Sequence, residues 1–340
     1  MTENHQNDRL AANVIDAVQP QLSTLEKQRQ NLRQKTRQQL IVLGVATLVA
    51  MILFRWLLGA GVSAAALLVG AGSAGWLLWL RQQDWRETVV KAVVPQLCET
   101  LGGLEYLPKV RGTEYLAPFE RLGVIGESND QKLEHLFQGK HGQTEFQLVG
   151  ANLRSSSRGR DSTNSTSREV FQGLLFRIQL PYTMDRRLLI LPNTGLDFFN
   201  KRPGMSRVAL DDEAFDQRFV VQHDSDDAHG EARAKSLLTP AFRQALLRLS
   251  DTEGQRAHGH GALVAGLMRD SLYLALERYQ PASGKGKIQV QKPRPFLGVA
   301  FFMSENGQLD KAVGDMVVDI TTAYRVIDQL GLNELTSDCA

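Results

Sequence analysis

The chain has 340 residues, a formal net charge of +2 and two cysteines, Cys98 and Cys339. The near-neutral charge and the scattered basic residues argue against nucleic acid as a partner. Two cysteines so far apart predict neither a disulfide framework nor a zinc site, which fits a reducing compartment. The first 38 residues are polar, so no cleavable signal peptide is predicted ahead of the first apolar segment.

The N-terminal segment, residues 1–38, is rich in glutamine, and its apolar residues recur at short spacings: Leu10, Val14, Ile15, Val18, Leu22 and Leu25. The spacing permits an amphipathic helix that leads towards a membrane. We expect Pro20 to interrupt that helix, because proline removes a helical hydrogen bond. A loosely ordered tail is the alternative interpretation of the same residues.

Residues 40–80 contain a single charged residue, Arg55. A helix crosses a bilayer core with roughly 20 apolar residues, so this segment is long enough for two spans. Gly59, Ala60 and Gly61 supply a tight turn between them. The sequence therefore predicts a transmembrane helical hairpin over residues 39–80.

Basic residues flank the apolar segment on both sides, in residues 27–37 and at Arg81, Arg86 and Lys91. Because short basic loops stay on the cytoplasmic side, we expect both termini in the cytoplasm and the lipid bilayer as a partner. The residues predicted to anchor the hairpin at the two interfaces are Arg55, Trp56, Trp76 and Trp79.

Gly70, Gly72 and Gly75 spell GxGxxG, the dinucleotide-binding fingerprint. That motif needs a preceding strand and a following amphipathic helix, and here it lies within a continuous apolar segment. Small residues at such positions let membrane helices approach closely. We therefore assign these glycines to helix packing and expect no cofactor.

A helical connector is predicted over residues 81–105, kinked or split at Pro95 and ended by Gly102 and Gly103. Cys98 lies on its apolar face, which indicates a buried structural thiol. An α+β domain over residues 106–332 and a tail over 333–340 follow.

The first part of that domain is predicted to be a mainly antiparallel sheet. We expect a strand from Glu145 to Arg154, then a polar, mobile hairpin loop over residues 155–168. Phosphorylation or anion binding is the functional alternative for this serine-rich loop. Two further pairs of strands are predicted, 170–181 with 187–192 and 207–210 followed by 218–223, the second pair separated by an acidic turn.

A helix is predicted from Pro240 to about Leu249, with Thr239 as N-cap and Ala241, Ala245, Leu246 and Leu249 facing inward. Residues 261–268 and 271–276 are expected to form a hairpin that turns at Arg269 and Asp270, followed by a loop at 281–287. The last helix, Leu309 to Leu330, has the clearest amphipathic pattern of the domain, with Gly331 as its stop.

The sequence shows no catalytic constellation. The weak candidates for metal ligands are His258, His260, His141 and Glu231. The acidic stretch at 224–231 lacks the spacing of a calcium loop, and we expect a solvated turn there and no metal. Thiolate, serine-nucleophile and P-loop motifs are likewise missing from the sequence.

The order of segments then supports a resemblance, carried by GKHGQTEFQLVGANLR, VFQGLLFRIQLP, RRLLILPN and FDQRFVVQHD followed by EARAKSLLTPAFRQALLRL. The chain resembles the DUF3137 family of bacterial membrane-associated proteins, whose function is unknown, over roughly residues 85–332. The most specific parts are residues 171–173 and 215–240, and the aspartate-rich DSDDAHGE departs from the pattern. The resemblance implies an anchored cytoplasmic α+β domain and supplies no catalytic residues.

These features predict a multi-pass protein of the bacterial inner membrane that is not an enzyme and that binds a protein partner or forms a homo-oligomer. The alternative is a ligand-binding or enzymatic domain that acts on a membrane-proximal substrate, with the candidate histidines and Glu231 converging in a pocket. A subunit of a transport assembly is a third interpretation, but the hairpin offers no ion pathway unless several copies surround a pore.

Overall fold

The computed structural model describes residues 2–58, 60–158, 165–193, 195, 202–256, 263–280, 292–293, 296–299, 301–304 and 308–332. The chain divides into two compact units. The first comprises Met1–Leu101 and Leu297–Val318, and the second comprises Gly102–Phe296 and Asp319–Ala340. The protein is a mixture of helices and antiparallel sheet, as predicted.

Two long helices, α1 (Thr2–Leu58) and α2 (Ala60–Thr100), form most of the first unit. They pack antiparallel: a side chain at Gly70 would overlap the side chain of Thr47, and Arg81 donates a hydrogen bond to Gln39 at 3.3 Å. The N-terminal half of α1 and the C-terminal half of α2 also contain buried side chains. They are Val18, Leu22, Leu25, Trp85, Val89, Val93 and Leu97.

The predicted interruption at Pro20 is wrong, because α1 continues through it, and α2 is likewise not split at Pro95. A proline removes one helical hydrogen bond, and the buried side chains on either side hold the backbone in place. Val18 and Leu22 flank Pro20, and Val94 and Leu97 flank Pro95. Tertiary packing therefore outweighs the local preference. The predicted stop is confirmed, since Gly102 and Gly103 have φ angles of 96° and 77°.

Large apolar side chains lie exposed along the middle of both helices. On α1 they are Ile41, Val42, Val45, Leu48, Val49, Ile52, Leu53, Phe54 and Trp56, and on α2 they are Leu67, Leu68, Val69, Trp76, Trp79 and Leu80. Among the described residues, one helix has the length and composition of a membrane span. It is Val18–Trp56, whose most apolar window has a mean hydropathy of 2.0 and is not buried at all. The second span stays a prediction.

The second unit is built on one antiparallel sheet. Its strands are β1 (Glu105–Lys109), β2 (Asp130–His141), β3 (Thr144–Arg158), β4 (Ser165–Pro192), β5 (Met205–Val208), β6 (Phe219–Asp224) and β7 (Leu263–Glu277). The order is β1-β2-β3-β4-β6-β5, and β7 pairs with β4. A short two-stranded sheet joins β8 (Tyr279–Gln280) to β9 (Lys292–Pro293).

Strands β4 and β7 correct the two predicted hairpins. Each is a single continuous strand, of 28 and 15 residues, and they pair with each other from Gly173 to Ile190. Their register shifts between Gln179 and Leu188, opposite Arg269, whose φ angle is 55°. The polar residues that predicted a turn in each segment therefore lie opposite each other, at one irregularity in the pairing of β4 with β7. Polar residues at such an irregularity can look like a turn in the sequence.

The serine-rich segment is a hairpin, as predicted, but strands extend into it. Ser155–Arg158 pairs with Ser165–Arg168, and the tip, residues 159–164, lies outside the described residues. Asn129 fixes the base of this hairpin, since its side chain bonds both the backbone oxygen and the backbone nitrogen of Ser156. The predicted loop is therefore partly sheet.

Five further helices lie within the described residues: α3 (Gly112–Leu122), α4 (Glu213–Arg218), α5 (Gly230–Leu237), α6 (Pro240–Arg256) and α7 (Gln308–Gln329). The predicted acidic turn is α4, a short helix capped by Asp212. In α6 the N-cap is confirmed, since Thr239 accepts from the Phe242 backbone, but Phe242 is buried in place of Ala241. The long C-terminal helix α7 is confirmed, with Gly331 at φ 63°.

Candidate functional site

One face of the sheet in the second unit is divided into an apolar and a polar half. Helix α3 covers the apolar half with Leu116, Phe119 and Leu122, which pack on Val149, Ala151, Leu153, Leu175 and Ala275. Behind this region the opposite face of the sheet is buried, at Leu148, Leu174, Phe176, Ile178, Leu272 and Leu274. At this end of the sheet the polar half is therefore the open face among the described strands.

Five directly opposed residues form a row across the polar half, one from each strand in the order β1, β2, β3, β4 and β7. They are Glu105, Gln138, Gln147, Arg177 and Tyr273. Residues directly opposite in neighbouring strands place their side chains on the same face. The row borders a groove of about 580 Å³, the polar groove, lined by Gly103, Glu105, Gln138, Gly139, Lys140, Glu145, Phe146, Gln147, Arg177, Gln179, Asp270 and Ser271.

Hydrogen bonds link the side chains at one end of the polar groove. Gln138 donates to a carboxylate oxygen of Glu105 at 2.6 Å, and Gln147 donates to the side-chain oxygen of Gln138 at 3.3 Å. Lys140 and Glu145 form an ion pair at 2.8 Å. The glutamines therefore have fixed orientations, and the Lys140 charge is compensated within the groove.

Arg177 occupies the other end and is held in place by neighbours on β7. Its Nε donates to Ser271 Oγ at 3.3 Å, and Ser271 Oγ donates in turn to Asp270 at 3.0 Å. The guanidinium carbon lies 5.9 Å from the centre of the Tyr273 ring. Neither Nη nitrogen has a hydrogen-bond or ion-pair partner among the described residues. The arrangement leaves the forked end of Arg177 available in the groove.

Tyr115 of α3 lies close enough to Arg177 for the guanidinium charge to affect the pKa of its hydroxyl. Burial raises the pKa of the Tyr115 hydroxyl well above its ordinary value, and the Arg177 charge offsets only part of that increase. The hydroxyl oxygen has no hydrogen-bond partner in the described part of the chain. Tyr115 is therefore a neutral phenol that carries an unsatisfied polar atom.

The structure separates the sequence-predicted metal candidates that it describes. His141 lies 2.7 Å from Asp328 and stacks on Tyr324, whereas Glu231 forms an ion pair with Lys235 on the surface of α5. His258 and His260 lie outside the described residues. Among the residues that are described, no cluster has the composition of a metal site. His141 and Glu231 therefore have different partners in the structure.

The acidic stretch after β6 is ion-paired, where a solvated turn was expected. Three aspartates each contact a different arginine: Asp224 with Arg187, Asp226 with Arg186 and Asp227 with Arg233. Burial disfavours the charged form of Asp224, but hydrogen bonds from Arg187 outweigh it and hold its pKa below the ordinary value. These carboxylates tie β4 and α5 to the end of β6.

The residues assigned to the membrane occupy α1 and α2. Arg55 and Trp56 are exposed, and Trp76 and Trp79 stack with their ring centres 5.0 Å apart. Of the three glycines, Gly70 lies against Thr47, while Gly72 and Gly75 have open space around them. Their roles stay predictions.

Cys98 is buried, as predicted. Burial raises the pKa of its thiol to about 11, so at neutral pH almost none of it is the reactive thiolate. This cysteine therefore has a structural role in α2.

The polar groove itself was missed from the sequence, although a signal was present. Along β3, Glu145 and Gln147 share a face with Val149, Ala151 and Leu153, so one strand face changes from polar to apolar partway. A face that is covered along its whole length would stay apolar. The change marks the end of the area that a helix covers.

Comparison with known proteins gives one family. Residues 169–292 match the model of DUF3137, described as a protein of unknown function. The resemblance read from the sequence is therefore confirmed over these residues, which are less than half of the chain. The comparison with curated proteins gives no significant match.

Among solved structures, the crystal structure of the mycobacterial trehalose monomycolate transport factor A, TtfA, matches with a TM-score of 0.32 and 9% identity, covering 68% of this chain and 92% of that chain. A TM-score this low does not show a shared fold, and nothing about this chain follows from it.

The parts that carry the DUF3137 resemblance have structural roles here. Gly173 leaves no room for a side chain, because a Cβ there would overlap the Leu276 carbonyl oxygen of the paired strand. Phe215 is completely buried, and Thr239 caps α6. The DUF3137 segment also contributes Arg177, Gln179, Asp270 and Ser271 to the polar groove.

Proposed function

We propose that this protein is a non-enzymatic binding module, anchored in the bacterial inner membrane by a transmembrane hairpin with both termini in the cytoplasm. In this proposal the second unit binds a partner protein, or the module assembles with itself. The single observation that carries the proposal is the exposed apolar surface of α1 and α2. Exposed apolar patches larger than a few hundred Å² are rare on soluble monomers and mark contact with a membrane or a protein.

The packing of α1 against α2 supports two spans. The contacts pair Gln39 with Arg81 and Thr47 with Gly70, so the apolar parts of the two helices lie side by side. If α1 crosses a bilayer over residues 40–58, α2 returns through it over residues 60–80. Basic residues then flank both cytoplasmic ends, as the positive-inside rule requires.

The polar groove supports the proposal that the second unit binds a partner. Its lining includes three glutamine amides, the carboxylates Glu105 and Asp270, an ion pair and one arginine with an available guanidinium. A cleft of this volume is within the range that small ligands and peptide segments occupy. The same observation favours a second candidate function, a ligand-binding domain for a membrane-proximal small molecule.

The hairpin is tested by labelling with a maleimide that does not cross membranes, in a chain whose Cys98 and Cys339 are replaced by serine. A cysteine introduced at Ala60 should react from outside intact spheroplasts, and one introduced at Gly103 should react only after lysis. Reaction of the position-60 cysteine only after lysis would contradict the two-span topology.

The binding role is tested on protein extracted into nanodiscs from its native membrane. The mass of the complex and the identity of all co-purifying chains are measured. A defined oligomer or a constant second protein is the expected result. A monomer without a partner would contradict the binding of a protein and leave the small-molecule candidate.

A further inference from the structure

We propose that the polar groove binds an extended peptide segment of a partner protein and that Arg177 binds a carboxylate of that segment. This inference rests on the proposed function, because it assigns the surface by which the module holds its partner.

The position of Arg177 suits a carboxylate. Its Nε is occupied by Ser271, which leaves the two Nη groups pointing away from that bond as a fork. A planar guanidinium matches the two oxygens of a carboxylate and forms paired, charge-assisted hydrogen bonds with them. Asp270 contacts Arg177 through Ser271 and forms no direct ion pair with it, so the positive charge is not neutralised by a bonded carboxylate.

The side chain is also ordered before any ligand arrives. Ser271 and the face of Tyr273 contact the guanidinium from β7, and Tyr273 is itself buried. Tyr273 packs edge-on against Phe119 of the core, with ring centres 5.0 Å apart. An arginine fixed in this way loses less conformational entropy on binding than a free surface arginine does.

The length and chemistry of the row suit a peptide. The row crosses five strands, and neighbouring strands lie about 4.8 Å apart, so it is about 19 Å long. An extended chain advances about 3.3 Å per residue, and about six residues fit that length. Gln138 and Gln147 each have an amide with donors and an acceptor, which complement the N–H and C=O groups of a peptide backbone.

The lining favours a singly charged carboxylate over a phosphate. Three carboxylates, Glu105, Glu145 and Asp270, line the groove, against the two cations Lys140 and Arg177. Lys140 is already paired with Glu145. In this net negative field a doubly charged phosphate would meet about twice the repulsion that a single carboxylate meets, and the single charge of a carboxylate matches the one available guanidinium.

The test uses the full-length chain in nanodiscs of zwitterionic lipid and two pools of fluorescent hexapeptides, measured by anisotropy. The pools differ only at a fixed third position, glutamate in one and glutamine in the other. The wild-type protein should bind the glutamate pool about tenfold more tightly, as expected for a charge-assisted bond. Arg177→Gln should abolish this difference between the pools.

Arg154→Gln is the matched control, because Arg154 is an exposed arginine of the same sheet outside the groove. It should keep the tenfold preference. Gln147→Ala should weaken both pools equally, since it removes a contact to the backbone and not to the carboxylate. Thermal unfolding of each variant verifies that it is folded.

Equal binding of the two pools by the wild type would overturn the inference. So would stronger competition by inorganic phosphate than by acetate at equal concentration, because the anion site would then be a phosphate site. A partner that co-purifies as well with Arg177→Gln as with the wild type would also overturn it, while the binding module would stand. A wild-type protein that is extracted as a monomer, with no partner, would refute the proposed function itself.

Discussion

Nε2 of His141 lies 2.7 Å from Oδ1 of Asp328, and the imidazole stacks on Tyr324 with ring centres 4.4 Å apart. These contacts join the β2–β3 hairpin to the last turn of α7. Asp328 also accepts a backbone bond from Gly331, the residue that ends the helix. A histidine that the sequence offered as a metal ligand therefore holds the end of a helix.

Replacing His141 by alanine should lower the free energy of unfolding by about 1–2 kcal/mol, the sum of one partly exposed hydrogen bond and one ring contact. Denaturant unfolding of the full-length chain in detergent measures this. A double-mutant cycle with Asp328→Ala should show a coupling energy between the two sites. Strictly additive effects would contradict a direct interaction.

Replacing one partner of the Arg278–Asp319 ion pair should lower the free energy of unfolding far more than replacing His141. The nitrogen and oxygen of this pair lie 2.6 Å apart, and their side chains are 7% and 1% exposed. Asp319→Ala leaves a buried cation without its partner, and we expect a loss of about 3–5 kcal/mol. The double variant Arg278→Met with Asp319→Leu should recover most of this loss, because it removes both charges. A double variant as unstable as the single one would refute this explanation.

Gly173→Ala should destabilise the sheet by about 3 kcal/mol or more, because the added methyl group collides with backbone and not with a movable side chain. Gly314→Ala is the matched control within α7. It meets no atom within 4 Å and should be neutral or stabilising by about 0.5–1 kcal/mol. Thermal unfolding of the two variants in parallel distinguishes these results, and equal effects would contradict the steric reason.

The ion pair of Asp224 predicts a pH dependence. Its pKa is lower in the folded chain than the ordinary 3.8, so the carboxylate stabilises the fold above that pH, and this contribution is lost as the pH falls below it. Asp224→Asn should therefore be less stable than the wild type at about pH 7 and approach it at about pH 3. A difference in stability that does not change with pH would contradict this assignment.

Tyr115→Phe should not destabilise the protein, unlike most changes at a packed position. Its hydroxyl is unsatisfied among the described residues, so removing it relieves a desolvation cost of about 1 kcal/mol. Tyr106→Phe is the control. The Tyr106 hydroxyl forms a hydrogen bond with His135 at 2.8 Å, so its removal should lower the stability. Calorimetry of both variants measures the change, and a loss of stability in Tyr115→Phe would indicate a partner for its hydroxyl.

The sequence predicted the elements whose side-chain pattern is local. Helix α7 was predicted because its apolar residues recur every three or four positions. The start of α6 was predicted from Thr239 and Pro240. Both patterns depend only on residues that are close in sequence. Strands β4 and β7 were misread for the opposite reason. Whether Tyr182–Asp185 forms a turn or a strand irregularity depends on pairing with Arg269, which lies far away in sequence.

The polar groove was missed for a similar reason. The change from polar to apolar along one face of β3 marks where a covering helix ends, but it does not show which residues of the other strands lie beside Gln147. These residues become a row only when the register of four strand pairs is known. The candidate histidines were selected because histidine is a common metal ligand. His141, the one of them that the structure describes, packs on Tyr324.

The pairing of β7 with β4 also determines when this chain can fold. β7 pairs with β4 between Gly173 and Ile190, yet it ends at Glu277, the last residue of the large sheet to leave the ribosome. Until then a long apolar strand has an unsatisfied backbone edge, which is the kind of surface that aggregates. The apolar part of α1 emerges well before β4 is made, so if α1 enters a bilayer as proposed, the sheet is completed beside that bilayer.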